Sequence, residues 1–252
     1  MAHGIRIERD GPVQILRFDR PDKKNAITGA MYAALAEALK AASADDAIAV
    51  SVFLGSPGFF TAGNDIGDFI RSATEGHGIG EPALRFLRAL ATHDRPLMAG
   101  VDGPAFGIGA TLLLHCDYVL ATPRTVLKTP FTDLGLTPEA ASSLLGPRSM
   151  GHPRAFELLV LGRALDAEVA LKAGLLNAVV DPDQLEPRIL ETAHELAAKP
   201  RDAVLASRRL LKGDTAAILA RIEAEATLFA ERLQSSEAQA AFAAFISKSK
   251  SS

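Results

Sequence analysis

The sequence has few of the features that mark several large classes of protein. It contains one cysteine in 252 residues, so no disulfide can form within the chain, and no cluster of cysteine and histidine is present to bind structural zinc. No apolar run reaches the roughly 18 residues that a membrane-spanning helix needs. Basic residues do not outnumber acidic ones, and a net charge of −3 gives no electrostatic footprint for nucleic acid.

The composition that is present is that of a globular protein. Hydrophobic residues make up 48% of the chain and charged residues 23%, which is enough material for a sizeable core. This length suits one large domain, or one domain with a small appendage. Residues 1–10 lack the pattern of a signal or transit peptide, and the polar tail at 248–252 carries no peroxisomal address. We therefore expect a cytoplasmic protein.

Strands alternate with helices up to about residue 180, and helices follow. The strands are predicted as a hairpin at 5–18, then 47–54, 96–101, 118–121, an extended stretch at 125–131, and 175–180. The helices are predicted at 28–42 with Thr28 as N-cap, 65–71, 82–93, 110–115, 166–174 between caps at Asp166 and Gly174, 185–199, 201–212 and 215–247. A loop is expected at 72–80.

This order of elements predicts an α/β fold whose strands pair in parallel through right-handed crossovers. The helical tail at 215–247 carries apolar residues on more than one face, among them Leu228 and Phe242. Such a helix needs more than one packing partner, so the tail indicates an oligomer.

The segment at 59–66, Phe-Phe-Thr-Ala-Gly-Asn-Asp-Ile, follows a buried strand and precedes a helix. The backbone N–H of Ala62 would lie at the strand end, free of sheet pairing and able to donate to a ligand. The alternative is an ordinary strand–turn–helix junction in which Asn64 or Asp65 caps the helix, and local physics favours this because such caps are common.

A glycine-rich turn at 101–109 precedes the next short helix. Glycines on both sides of Ile108 allow the backbone to approach a ligand closely, and the helix directs free N–H groups toward that place. The spacing differs from the dinucleotide fingerprint, and no Lys-Ser/Thr pair follows as in a P-loop. Tight helix packing is an equally good explanation of the glycines.

A third segment, at 129–142, contains Glu139 after a proline and among several leucines. Burial in such surroundings would raise the pKa of the carboxyl group, as a general base requires. Taken alone, the segment fits the alternative better, in which Glu139 is an acidic residue in the first turn of a helix.

Taken together, these segments resemble the crotonase, or enoyl-CoA hydratase/isomerase, superfamily. The resemblance also includes the Arg-Pro-x-x-x-Asn-Ala-Ile loop at 20–27 and the stretch at 161–175, and it covers nearly the whole chain. It implies a crotonase-like spiral of ββα units at 1–195 with the acyl-CoA site, and a helical oligomerisation region at 196–252. A homotrimer or dimer of trimers is then expected, with no membrane or nucleic-acid partner.

The resemblance also assigns roles to residues. The N–H groups of Ala62 and Ile108 would hold the thioester oxygen of an acyl-CoA. The coenzyme A part of the substrate would contact residues of three segments, namely Ala62, Gly63, Asn64, Asp65, Ile66, Ile108, Lys24 and Ala26. No metal and no separate cofactor are implied, because coenzyme A enters as part of the substrate.

The reaction follows from which carboxylates are present. Hydratases of the superfamily use two glutamates, and this chain has Thr111 and Phe131 at those places. Glu139 instead matches the glutamate of the monofunctional Δ3,Δ2-enoyl-CoA isomerases, so the resemblance implies transfer of a proton from C2 to C4 through a dienolate. Two alternatives remain: another acyl-CoA enzyme that forms an enolate, or an acyl-CoA-binding protein without catalysis.

Overall fold

The structure is a computed structural model that describes residues 4–68 and 80–249, with side chains through residue 244. Residues 72–79 of the predicted loop and the end of the predicted helix at 65–71 lie outside the described residues.

The strands of the described residues are, in chain order, β1 (Ile5–Asp10), β2 (Val13–Phe18), β3 (Val50–Leu54), β4 (Leu97–Val101), β5 (Pro104–Phe106), β6 (Tyr118–Ala121), β7 (Val126–Lys128), β8 (Leu165–Asp166) and β9 (Ala178–Val179). Six of them form the central sheet of the fold, in the order β1-β2-β3-β4-β6-β9. The β1–β2 hairpin is antiparallel, and the other neighbours pair in parallel. Every residue of β3 and β4 is buried, and Ser51 is the one polar residue in them, which suits strands buried on both faces.

A small second sheet, in the order β5-β7-β8, lies at the glycine-rich turn. Thr61 pairs with Ala105 of β5, which brings the segment at 59–66 alongside this sheet. Two of the three segments singled out in the sequence are therefore neighbours in the fold.

The helices connect the strands and cover the main sheet. In chain order, those with described bounds are α1 (Gly29–Ala44), α2 (Glu81–Thr92), α3 (Ile108–Thr111), α4 (Ser142–Leu159), α5 (Ala167–Lys172), α6 (Pro182–Ala197), α7 (Arg201–Lys212), α8 (Thr215–Leu233) and α9 (Ser236–Ser249). The predicted cap of α1 is confirmed, because the Thr28 side chain accepts a hydrogen bond from the N–H of Met31. The predicted helix at 215–247 is two helices, with the break at Gln234 and Ser235.

Both faces of the main sheet are covered by helices. One face packs against α6 through residues such as Val52, Leu185 and Ile189, and the other packs against α1 and α2 in a larger core. The predicted domain boundary at 195 falls within α6. The nearest break between helices after it is at 198–200, between α6 and α7.

The C-terminal helices fold back onto the rest of the chain. Ile222 and Phe229 of α8 are buried, so these two apolar residues find their partners within the chain itself. Other apolar side chains of this region stay in solvent: Leu210 is 85% exposed, Leu211 is 89% exposed and Leu228 is 52% exposed. No helix in the described part of the chain has the length and apolar character to cross a membrane.

Candidate active site

Glu139 is a carboxylate buried in the interior of the chain. Only 4% of its surface is exposed, and its Oε1 accepts a hydrogen bond of 2.9 Å from the hydroxyl of Thr111. Burial raises the pKa of Glu139 to about 7, opposed by the bond from Thr111 and reinforced by the charge of Glu225. A carboxyl group with this pKa exchanges protons near neutral pH, as a general base requires.

The backbone after Glu139 has an uncommon conformation. Ala140 and Ala141 have φ angles of 61° and 54°, and both residues are fully buried. This left-handed region costs roughly 1–2 kcal/mol for each residue other than glycine. Helix α4 begins only at Ser142. The alternative in which Glu139 lies in the first turn of a helix is therefore wrong, since two left-handed residues separate it from the helix.

The N–H group of Ala62 is already occupied. Thr61 accepts a hydrogen bond from the N–H of Phe106 at 2.9 Å, and the chain then leaves the small sheet. The next N–H, that of Ala62, donates to the carbonyl oxygen of Lys24 at 2.9 Å. The prediction that Ala62 supplies a free N–H for a ligand is wrong, because a loop from much earlier in the chain accepts that bond.

Two nearby N–H groups have no acceptor among the described residues, those of Asn64 and Ile108. Ile27 donates to the carbonyl of Gly63 and accepts from the N–H of Asp65, which leaves the N–H of Asn64 facing away from Ile27. Ile108 is the first residue of α3, where a helix leaves its N–H groups unpaired. Asn64 thus has the free donor that the sequence assigned to Ala62. The N–H of Ile108 is free as expected, and its role in binding stays a prediction.

The two segments that carry these donors lie against each other. A Cβ atom on Gly63 would be only 2.9 Å from the carbonyl oxygen of Phe106. Asn64 and Gly107, which precedes Ile108, line the same cavity. Paired backbone N–H groups at the wall of a cavity are the arrangement that stabilises a developing negative charge on oxygen.

The cavity has a volume of about 130 Å³ and a mainly apolar wall. Its lining side chains come from the segment at 59–66, from residues 130–136 and from the C-terminal helices, and they include Ile66, Pro130, Phe131, Leu134, Leu136, Phe229 and Phe242. Of the predicted site residues, Ala62, Gly63, Asn64 and Ile66 lie on this wall. The described wall does not include Glu139, Asp65, Lys24 or Ala26, and it includes Gly107 but not the next residue, Ile108.

Asp65 braces the loop and caps the helix that starts at residue 66. Its Oδ1 accepts hydrogen bonds from the N–H groups of Gly67 and Asp68, and its Oδ2 forms an ion pair of 2.7 Å with Arg20. The pKa of Asp65 is lowered: these hydrogen bonds and the Arg20 charge outweigh the effect of burial, which acts the other way. The capping alternative from the sequence is confirmed for Asp65.

The other predicted contacts for coenzyme A lie in the loop at 20–27. Lys24 has a left-handed backbone with φ of 51°, and its Nζ lies 5.9 Å from the centre of the Phe59 ring. The carbonyl oxygen of Ala26 accepts a bond of 3.0 Å from the guanidinium of Arg20. The roles of Lys24 and Ala26 in binding stay predictions.

Tyr32 links the two parts of the site. It is 4% exposed, and its hydroxyl donates a short hydrogen bond to Oδ1 of Asn64. Burial raises the pKa of Tyr32 well above its usual value, and the charge of Glu139 adds to the rise. Tyr32 therefore contacts Asn64, the residue with the free N–H, and its hydroxyl is within range of the charge of Glu139.

Sequence reasoning missed the roles of Asn64 as N–H donor, of Tyr32, and of Thr111 as partner of Glu139. No local signal could have found the first two, because they depend on pairing with distant residues. The role of Thr111 could have been anticipated, because Thr111 lies one helical turn after Gly107, on the short helix that follows the glycine-rich turn.

Comparison with known proteins gives a consistent family assignment. The family model described as enoyl-CoA hydratase/isomerase matches residues 8–252. Enoyl-CoA delta isomerase 2 from Rattus norvegicus is 35% identical over 252 residues, which cover 98% of this chain and 64% of the rat protein. The chain thus spans somewhat less than two thirds of that relative's length.

Two further relatives show the range of the similarity. The solved structure of OdaA from Pseudomonas aeruginosa has a TM-score of 0.91 and 43% identity, covering 96% of this chain and 98% of OdaA. The 4-chlorobenzoyl coenzyme A dehalogenase-1 of an Arthrobacter species is 32% identical and covers 79% of this chain and 74% of the dehalogenase. These likenesses confirm the predicted crotonase-like α/β fold with its helical C-terminal region.

Proposed function

The chain belongs to the enoyl-CoA hydratase/isomerase family, and on that premise we propose that it is a Δ3,Δ2-enoyl-CoA isomerase. Its substrate is a 3-enoyl-CoA, and its product is the conjugated 2-trans-enoyl-CoA. The observation that carries this proposal is Glu139, one buried carboxylate with a pKa of about 7 held by the hydroxyl of Thr111.

In this mechanism the thioester oxygen accepts hydrogen bonds from the N–H groups of Asn64 and Ile108. Glu139, as carboxylate, removes a proton from C2 of the acyl chain. The negative charge of the resulting dienolate develops on the thioester oxygen, where the two N–H groups stabilise it. Protonated Glu139 then delivers the proton to C4. One carboxyl group suffices because the proton that leaves one carbon is the proton that the other receives.

Hydration fits these residues less well. Addition of water needs one group to activate the water and another to deliver a proton, whereas Thr111 and Phe131 stand where the hydratases carry glutamates. The apolar cavity wall, which includes Phe131, also disfavours an ordered water. Exclusion of water protects the dienolate from side reactions.

Membership of this family also leads to proposals for the contacts of coenzyme A and for the oligomeric state. The coenzyme A part of the substrate is proposed to run along Ala62–Ile66 and the loop that contains Lys24 and Ala26. A homotrimer or dimer of trimers is proposed, supported by Leu210 and Leu211, which leave a large apolar area of α7 in solvent. A cytoplasmic location stays a prediction.

Ultraviolet absorbance of purified protein with 3-hexenoyl-CoA tests the proposed reaction, because the product's double bond is conjugated with the thioester carbonyl and adds absorbance to the unchanging absorbance of coenzyme A. We expect absorbance to rise with enzyme, and crotonyl-CoA to stay unhydrated. Loss of absorbance from crotonyl-CoA would instead identify a hydratase. Binding of 3-hexenoyl-CoA with exchange of the C2 proton but no rise would favour another enolate-forming activity. Binding without exchange would favour a protein that only binds acyl-CoA.

The pKa of Glu139 predicts how activity depends on pH. Only the ionised carboxyl accepts a proton, so kcat/KM should fall as pH drops through about 7. Thr111→Val removes the hydrogen bond that favours the ionised form, so the midpoint should move to higher pH. The measurement is kcat/KM from pH 5 to 9 for both proteins. Thr227→Val, which removes a hydroxyl bonded only to its own helix, is the control and should keep the wild-type midpoint.

A further inference from the structure

The left-handed turn after Glu139 needs support from the surrounding structure. Ala140 and Ala141 are consecutive, buried and both at positive φ. Residues held in such sparsely populated conformations persist when their surroundings fix them. One support is His115, whose Nε2 lies 2.7 Å from the carbonyl oxygen of Ala140. Burial lowers the pKa of His115 to about 4, so the neutral ring donates through this nitrogen.

The second support comes from helix α8. Glu225 is 5% exposed, and its Oε1 accepts hydrogen bonds from the N–H of Ser143 at 2.9 Å and from the hydroxyl of Ser143 at 2.5 Å. Helix α4 has no capping side chain of its own, since its N-cap residue is Ala141. A carboxylate 82 positions further along the chain thus caps the helix whose first residue follows the turn.

The charge of Glu225 also acts on the carboxyl group of Glu139. The charged and titratable groups around it are Arg221 on its own helix and Glu139 across the turn. Glu139 in turn faces Tyr32 of α1, Thr111 of α3 and Glu225. Burial raises the pKa of Glu225, while its bonds from Ser143 oppose the rise. Its Oε2 has no hydrogen-bond partner among the described residues.

We propose that Glu225 is a positioning residue for Glu139, holding the left-handed turn that presents the catalytic carboxylate and setting the charge behind it. The proposal rests on the proposed isomerase function. It assigns an active-site role to a side chain of the C-terminal helical region, which the sequence predicted only as an oligomerisation region.

Two substitutions separate the mechanical effect from the charge effect. Glu225→Gln keeps an oxygen that accepts from Ser143 and removes the charge. We expect kcat within a few-fold of wild type, with the acidic midpoint of the pH profile moved to lower pH. Glu225→Ala removes both, and a displacement of a catalytic group by about 1 Å can lower a rate 10²-fold. We expect kcat to fall roughly 10- to 100-fold with KM changed less than about two-fold, because the cavity wall is untouched.

Glu223→Ala and Glu223→Gln are the matched controls. Glu223 lies on the same helix, but its carboxylate pairs with Arg88 at the surface. Both should retain the wild-type kcat and pH profile. A Glu225→Ala protein with the wild-type kcat and midpoint would overturn the proposal, and so would equal effects at 223 and 225. If Glu225→Ala does not fold, the midpoint of Glu225→Gln decides: an unchanged midpoint overturns the proposal.

A measurement without turnover separates this proposal from the proposed function. Carboxyl-13C glutamate labelling reports the pKa of Glu139 by NMR, with Glu139→Gln identifying its resonance. We expect a value near 7 in the wild type and a lower one in Glu225→Gln. That shift in a protein inactive on 3-enoyl-CoA would overturn only the isomerase proposal, whereas no shift in an active protein would overturn only the role of Glu225.

Discussion

Glu139→Gln is expected to lower kcat by about 10²–10⁴-fold while the affinity for acyl-CoA is nearly unchanged. Glutamine has almost the same shape as glutamate, and its side-chain oxygen can still accept the hydrogen bond from Thr111. The substitution therefore removes the base and leaves the site in place. Steady-state rates with 3-hexenoyl-CoA and the Kd for a saturated acyl-CoA measure the two effects separately.

The same variant makes a prediction for stability. A carboxyl whose pKa is raised from 4.5 to about 7 by folding binds more protons in the folded than in the unfolded chain between these values. The stability that Glu139 contributes therefore falls as pH rises through this window. Glu139→Gln lacks this loss, so its Tm relative to wild type should be higher at pH 8 than at pH 5.

Glu223→Gln is the control for the activity of Glu139→Gln. Glu223 lies at the surface, so this variant should be fully active, and equal activity in the two variants would remove Glu139 from the mechanism.

Gly63→Ala is expected to lower kcat by roughly 10²–10³-fold, the effect of losing one good oxyanion donor. Gly63 has a φ of 86°, and a Cβ there would lie 2.9 Å from the backbone carbonyl oxygen of Phe106. Relief of this contact shifts the backbone of Gly63 or that of Phe106, and so moves the N–H of Asn64, which follows Gly63 directly, or that of Ile108. Because the reaction depends on the position of that N–H, the loss should appear mainly in kcat.

Gly213→Ala is the control for backbone strain. Gly213 has a similar φ of 74°, but a Cβ there would have no atom within 4 Å. Both substitutions place alanine at a positive φ; Gly213, with φ of 74° and ψ of −146°, lies in a region that only glycine adopts readily, so Gly213→Ala should lower the free energy of unfolding by about 1–3 kcal/mol. Gly63→Ala should cost at least as much, because its Cβ also meets the carbonyl oxygen of Phe106. Only Gly63→Ala should also lose activity. Equal kcat values for the two variants would contradict the assignment of Asn64 as a donor.

The fold was predictable where burial leaves a local pattern. The strand at 118–121 and the helix at 201–212 have the predicted bounds. Helix α4 was not identified, because Pro147 and Pro153 lie within it and Gly151 interrupts it with a non-helical conformation, so the element is two shorter helices joined at a kink. The break between α8 and α9 at Gln234 was not predicted, because no glycine or proline lies there.

The site was predictable only in part, for a related reason. The burial of Glu139 could be anticipated because the leucines around it are near in sequence. The identity of the free N–H group could not be anticipated. It depends on the carbonyl oxygen of Lys24, which accepts from the N–H of Ala62, and on Ile27, which pairs with Asn64 and leaves the N–H of Asn64 free. The support from Glu225 likewise depends on a contact between distant segments, and single-sequence patterns carry no information about such contacts.

The central claim is that Glu139 carries a proton from C2 to C4 of a 3-enoyl-CoA. NMR of the products formed from 3-hexenoyl-CoA in D2O, with wild type and Glu139→Gln side by side, tests it most directly. We expect wild type to give 2-trans-hexenoyl-CoA with either the original C2 proton or solvent deuterium at C4, and Glu139→Gln to give neither product nor exchange at C2. A 3-hydroxyhexanoyl-CoA product from wild type, or equal conversion by both proteins, would contradict the account.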